Sequence, residues 1–220
     1  MAYELPKLDY KYSDMEPHID AETMKLHYTK HHQGYIDKLN EGLKDYPKLM
    51  EYPVDILVRN IPKLEKSIQK LVMDQGGGHY NHCIWWKILS PASGKKPINE
   101  LAKQINDDFD SFDNFKKKFV ECCSKQFGSG WGWLIYKDGN LKIMSTLNHI
   151  NPLTNGDYPI LCWDLWEHAR YLKYQNRADE YYAALWNVMN WSEINSRFLK
   201  AKKYSENSKK TNKVQKQYGL

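Results

Sequence analysis

The sequence predicts an α+β chain: an N-terminal helical hairpin, then an α/β domain with a small antiparallel three-stranded sheet. Three observations predict it. Apolar residues from Leu26 to Val72 recur at helical spacing. A stretch rich in Pro, Gly and Ser, Ser90 to Pro97, divides the chain. Beyond it, two strand-like runs flank Lys137-Asp138-Gly139-Asn140, where Asp-Gly favours a tight hairpin. The expected organisation is a helical-hairpin domain over 1–90, an α+β domain over 91–204, and a lysine-rich, mobile tail over 205–220. At 220 residues the chain is long enough to bury a sizeable core.

Residues 1–19 read as an extended lead-in. Asp20 is placed to cap a long helix running to about Leu43, with Leu26, Tyr35, Ile36 and Leu39 on its buried side. A short helix is expected from Val54 to Asn60. Pro62 suits the first turn of a second long helix through Leu64, Ile68, Leu71 and Val72. Gly76-Gly77-Gly78 breaks that helix or admits another backbone closely, and a further helical piece carries His79, His82, Trp85 and Trp86. In the second half, helices are expected over Ile98–Phe109 and after Ser111. Strands follow at Trp131–Tyr136, Leu141–Met144 and Tyr158–Trp163, then helices at Ala178–Val188 and Trp191–Tyr204.

The net charge is +5, but residues 200–220 hold seven lysines against one glutamate. Basicity therefore belongs to the tail and argues against a nucleic-acid-binding domain. No apolar run approaches membrane-spanning length. The four cysteines, Cys83, Cys122, Cys123 and Cys162, form no CxxC pair and read as reduced thiols of a cytoplasmic protein. A mitochondrial matrix location is the alternative if a transit peptide was removed.

The histidines carry the chemistry. His27, His31 and Tyr35 fall four residues apart and share one helix face. His79 and His82 follow the triple glycine, and Asp164 ends the third strand with His168 four residues on. A site taking His27, His82, Asp164 and His168 would present three imidazoles and one carboxylate. Imidazole suits Zn, Fe, Cu and Ni, and carboxylate suits Mn. No cysteine stands at a comparable position, which argues against a thiolate zinc site.

Three motifs, His27-Tyr28-Thr29-Lys30-His31-His32-Gln33, Gly77-Gly78-His79-Tyr80-Asn81-His82 and Asp164-Leu165-Trp166-Glu167-His168-Ala169, resemble the iron/manganese superoxide dismutase family. The resemblance runs from about Leu5 to Phe198 and includes Phe127-Gly128-Ser129-Gly130-Trp131-Gly132-Trp133. It implies one Mn per subunit, with Fe or either metal as the alternative, held by His27, His82, Asp164 and His168. It implies roles near the metal for Tyr35, His31 and His149, with Trp86, Trp131, Trp133 and Trp166 around them. It implies a homodimer, or a tetramer of such dimers, with Glu167 and Tyr171 at the subunit contact. Superoxide would be the substrate, with neither nucleic acid nor membrane as partner.

Departures from the family pattern are Gly78, where iron-type members carry glutamine, and His149, where manganese-type members carry glutamine. Arg170 replaces a tyrosine and Trp163 a smaller apolar residue. His32 is expected to be a solvated neighbour, and His18 and His79 structural. The rival functions are another mononuclear non-haem metalloenzyme, or a decayed dismutase acting as a binding protein through its lysine tail.

Overall fold

In a computed structural model, which describes residues 2–92 and 94–217, Asp20 caps the first long helix as its position predicts. Its carboxylate accepts from the Thr23 amide. This helix is not a uniform α-helix. It runs as α1 (Ala21–Leu26), a π-turn (His27–His32) and α2 (Gln33–Gly42). The second long helix is built alike: α4 (Lys66–Leu71), a π-turn (Val72–Gly76) and α5 (Gly77–Ile88). A short α3 (Val54–Arg59) lies between them. Leu71 lies beside Gly42, Leu39 beside Gly76, and Tyr35 beside Gly78. Numbers fall along one helix as they rise along the other, so the pair is an antiparallel hairpin.

Four local expectations are corrected. The triple glycine does not break the helix but continues into α5, and serves as a place of close approach. Pro62 sits in a separate 3-10 turn, Ile61–Lys63, because Leu64 is extended and the helix starts afresh at Lys66. Leu26 is 37% exposed rather than buried. The last helix continues past Tyr204 to Gln217; the side chains of residues 206–217 and all of residues 218–220, where the tail was expected to be mobile, lie outside the described residues.

After the divide come α6 (Asn99–Phe109) and α7 (Phe112–Ser124), the latter capped by Ser111, whose hydroxyl accepts from the Asn114 amide. The sheet holds β1 (Gly130–Lys137), β2 (Asn140–Leu147) and β3 (Tyr158–Asp164) in the order β2-β1-β3, all antiparallel. Asp138 and Gly139 both take positive φ, 54° and 92°, and close the two-residue hairpin between Lys137 and Asn140. Helices α8 (Tyr171–Tyr174), α9 (Ala178–Leu185) and α10 (Trp191–Gln217) complete the chain.

The larger apolar cluster draws on both halves: Met24, Ile84, Trp85 and Trp86 pack with Phe115, Phe119, Trp131, Trp163 and Phe198. Burial of this kind stabilises by about 25 cal/mol per Å² of apolar surface removed from water. It also fixes α5 against β3, and so fixes His82 against Asp164.

Candidate metal centre

Four side chains from three segments converge. His27 begins the first π-turn, His82 lies on α5, Asp164 ends β3, and His168 sits in a 3-10 turn, Glu167–Ala169. Asp164 Oδ2 lies 3.0 Å from His27 Nε2, 3.3 Å from His168 Nε2 and 3.5 Å from His82 Nε2. His27 Nε2 and His82 Nε2 are 2.8 Å apart. Asp164 and His82 are fully buried, and His168 keeps 11% of its side chain exposed.

The surrounding bonds aim these donors. His82 Nδ1–H donates to the Gly78 carbonyl at 2.6 Å, which leaves its Nε2 lone pair facing the centre. The Trp166 amide donates to Asp164 Oδ1 at 2.9 Å, leaving Oδ2 for the centre. Burial pushes the His27 imidazole down to about 3, so it is neutral. Burial also works to raise the Asp164 carboxyl, but the imidazoles of His168 and His27 prevail and hold it well below the usual carboxylate range. His82 Nε2 and Asp164 Oδ2 thus face each other as two acceptors. A cation resolves that confrontation, and a set of three imidazole nitrogens with an ionised carboxylate fits a transition-metal ion.

Aromatic rings enclose the centre. Trp86 lies 4.9 Å from His27, and Trp131 stands edge-on to His82 at 5.1 Å. Trp166 stacks on His149 at 4.5 Å and lies 5.4 Å from His168. Trp133 is one layer further out: it stacks on Trp131 at 5.8 Å and donates to the Thr146 hydroxyl. The Tyr35 ring lies 5.3 Å from His82 and 4.5 Å from His149. His31 stacks on His168 at 4.2 Å and is exposed, marking the solvent side. Glu167 and Tyr171 are exposed at the surface beyond His168.

His149 comes from the loop after β2. Trp131 Nε1–H donates to its Nδ1 at 3.1 Å, so the imidazole proton sits on Nε2. That Nε2 is buried and has no protein partner. Burial holds the ring neutral, down to about 3. It is a donor with no acceptor among the described residues.

A second cluster, His32, His79 and Cys83, also offers three possible donor atoms. Its bonding is closed. Trp86 Nε1–H donates to His32 Nδ1 at 2.9 Å, so the His32 proton is on Nε2 and goes to His79 Nδ1 at 2.7 Å. The Cys83 thiol approaches the same Nδ1 at 3.6 Å. Both imidazole Nδ1 atoms are thus already served by donors. The expectation that His32 is solvated is corrected, for it is fully buried. The reason is local: a π-turn closes i to i+5, which returns His32 to the side of His27. No residue type in the sequence marks that turn.

Two further residues at the centre escaped sequence reasoning. Asn81 and Asn151 are buried and bonded to each other at 2.7 Å, and Asn81 also reaches the His149 carbonyl.

Two family models match the chain. The model described as the alpha-hairpin domain of iron/manganese superoxide dismutases covers residues 2–90, and the model of their C-terminal domain covers residues 97–197. The chain is 50% identical over 202 residues to the superoxide dismutase [Mn] of Listeria innocua, covering 92% of this chain and 100% of that one. It is 45% identical over 201 residues to the superoxide dismutase [Mn] of Thermus thermophilus, covering 90% and 98%. It is 45% identical over 203 residues to superoxide dismutase [Mn] 1 of Leptolyngbya boryana, covering 91% and 82%.

Proposed function

Because the chain belongs to the iron/manganese superoxide dismutase family, we propose that His27, His82, Asp164 and His168 form the centre at which it turns two superoxide radicals into dioxygen and hydrogen peroxide. The observation that carries the assignment is the convergence of three imidazole nitrogens on one buried carboxylate oxygen. The metal is manganese, as in the relatives' names, with iron as the alternative. Bound there, such an ion supplies the one-electron couple that takes an electron from one superoxide and gives one to another.

The chain's own residues do the rest. With a single carboxylate among its ligands, a divalent or trivalent ion held there would keep a net positive charge, which draws a small anion inward. Trp86, Trp131 and Trp166 keep bulk water out and hold the ligand rings in place. Making peroxide consumes two protons. Burial and the nearby Asp164 raise the Tyr35 hydroxyl above its ordinary range, so it stays protonated and available as a donor. With His31 at the solvent side, Tyr35 forms a relay into the centre. The His149 Nε2–H, buried and aimed by the Trp131 bond, would donate to an acceptor at the centre and so tune the potential of an ion held there.

An oxygenase facial triad needs two histidines and one carboxylate with more open positions. The third imidazole here disfavours it. Convergence of all four donors disfavours a decayed site. Tyr35→Phe is expected to keep the metal while lowering turnover or altering product inhibition. Metal content alongside stopped-flow turnover checks this, and metal loss as large as in a ligand variant would contradict it.

We further propose a homodimer, or a tetramer of such dimers. Phe127 is 95% exposed, Leu172 54% and Tyr171 51%, and the neighbours of Phe127, Gln126 and Gly128, line one cavity with Glu167, His168 and Arg170. These exposed apolar side chains support an association face on this side of the molecule. There Glu167 would reach the partner's copy of His168, fixing its ring. Glu167→Ala should weaken association and metal retention together, as read by sedimentation and metal analysis. Active wild-type monomer at micromolar concentration would count against it. All four cysteines are free, which fits the reducing cytoplasm.

A further inference from the structure

The loop that carries His149 is held from two sides. Its imidazole is fixed by Trp131 of β1, the central strand. Its backbone is fixed by α5, the helix that carries the ligand His82. The His149 carbonyl accepts from Asn81 Nδ2–H at 3.2 Å, and Asn81 immediately precedes His82. The same carbonyl lies so close to Gly77 that a Cβ there would strike it.

The amide directions follow from a chain of bonds. The Leu153 amide donates to Asn151 Oδ1 at 2.9 Å, so Asn151 presents its Nδ2–H, which donates to Asn81 Oδ1 at 2.7 Å. Asn81 must then offer Nδ2–H to His149. Asn81 is fully buried, Asn151 is 1% exposed and His149 3%. In such surroundings an unmade bond leaves a costly unsatisfied group, so the linkage holds one geometry.

We propose that Asn81 and Asn151 are positioning residues, which together with the bare Cα of Gly77 set where His149 Nε2–H stands relative to the metal centre and thereby tune the choice between manganese and iron. Helix α5 carries both the ligand His82 and the clamping residues Gly77 and Asn81, so one helix sets how far the His149 loop stands from His82. Functional groups must be held within about 0.5 Å of the productive geometry. A loop free to retreat by that much changes the bond that His149 gives.

The inference rests on reading His149 as the tuning group, and a double-mutant cycle separates the two. The reduction midpoint potential of the manganese-loaded protein, and the ratio of activity per bound Mn to activity per bound Fe, are measured for wild type, Asn81→Ala, His149→Ala and the double variant. The expected result is that Asn81→Ala shifts both readouts in the wild-type background and neither in the His149→Ala background. An equal shift in both backgrounds, or none in either, would overturn the clamp. His149→Ala alone leaving the potential at the wild-type value would overturn the underlying reading, and the clamp with it. Should Asn81→Ala fail to fold, Asn151→Ala takes its place in the same cycle, since it removes the donor to Asn81 without touching α5.

Discussion

Asp164→Ala strips the metal and the activity together. Asp164 Oδ2 is the one atom that all three imidazoles approach, at 3.0 to 3.5 Å, and it is fully buried. Removing it takes the single negative charge from a centre meant for a cation. It also leaves three buried imidazole nitrogens around a gap. Loss of a group that merely orients a ligand costs about 10–100-fold in metal affinity, and loss of a ligand costs more. Elemental analysis after reloading with Mn should find little metal, and the dismutase rate should fall in proportion. Full occupancy with full turnover would contradict the assignment. Asp164→Asn adds a finer reading: it keeps the shape and removes the charge, so metal retention should remain well below wild type.

His32→Ala destabilises the fold although His32 is no ligand. The substitution leaves Trp86 Nε1–H without an acceptor and removes the donor that reaches His79 Nδ1. Each buried group left unpaired costs about 1–3 kcal/mol, and the void where a fully buried ring stood adds to it. The sum is about 3–5 kcal/mol, which lowers Tm by roughly 10 °C in a chain of this size. Denaturant unfolding of the metal-free protein measures this without the contribution of metal binding. A solvent-facing histidine would change stability by no more than about 0.5 kcal/mol. A midpoint within error of wild type would therefore restore the solvated reading.

His32 also shows where the sequence stops being legible. Spacing on an ideal helix places His27, His31 and Tyr35 on one face and sends His32 elsewhere. The chain instead puts a π-turn there, and the side of the helix that faces the core widens to take His32 as well. The second π-turn, Val72–Gly76, likewise carries no residue signature, so the triple glycine read as a possible break when it is a continuous helix. Signals that act within a few residues were readable: the Asp20 and Ser111 caps, the Asp138-Gly139 hairpin, and the strand that delivers Asp164. The four candidate ligands were readable because each sits in a short motif. Asn81 and Asn151 were not. They are 70 residues apart, and only folding brings their amides together.

The most direct test is elemental analysis of the purified protein, followed by chelation, reloading with Mn or Fe, and a dismutase assay free of any organic co-substrate. The centre described here predicts one metal ion per chain, activity lost with the metal, and activity restored in proportion to the ion bound. Undiminished superoxide dismutation by the metal-free protein, or a fully loaded protein with none, would contradict it.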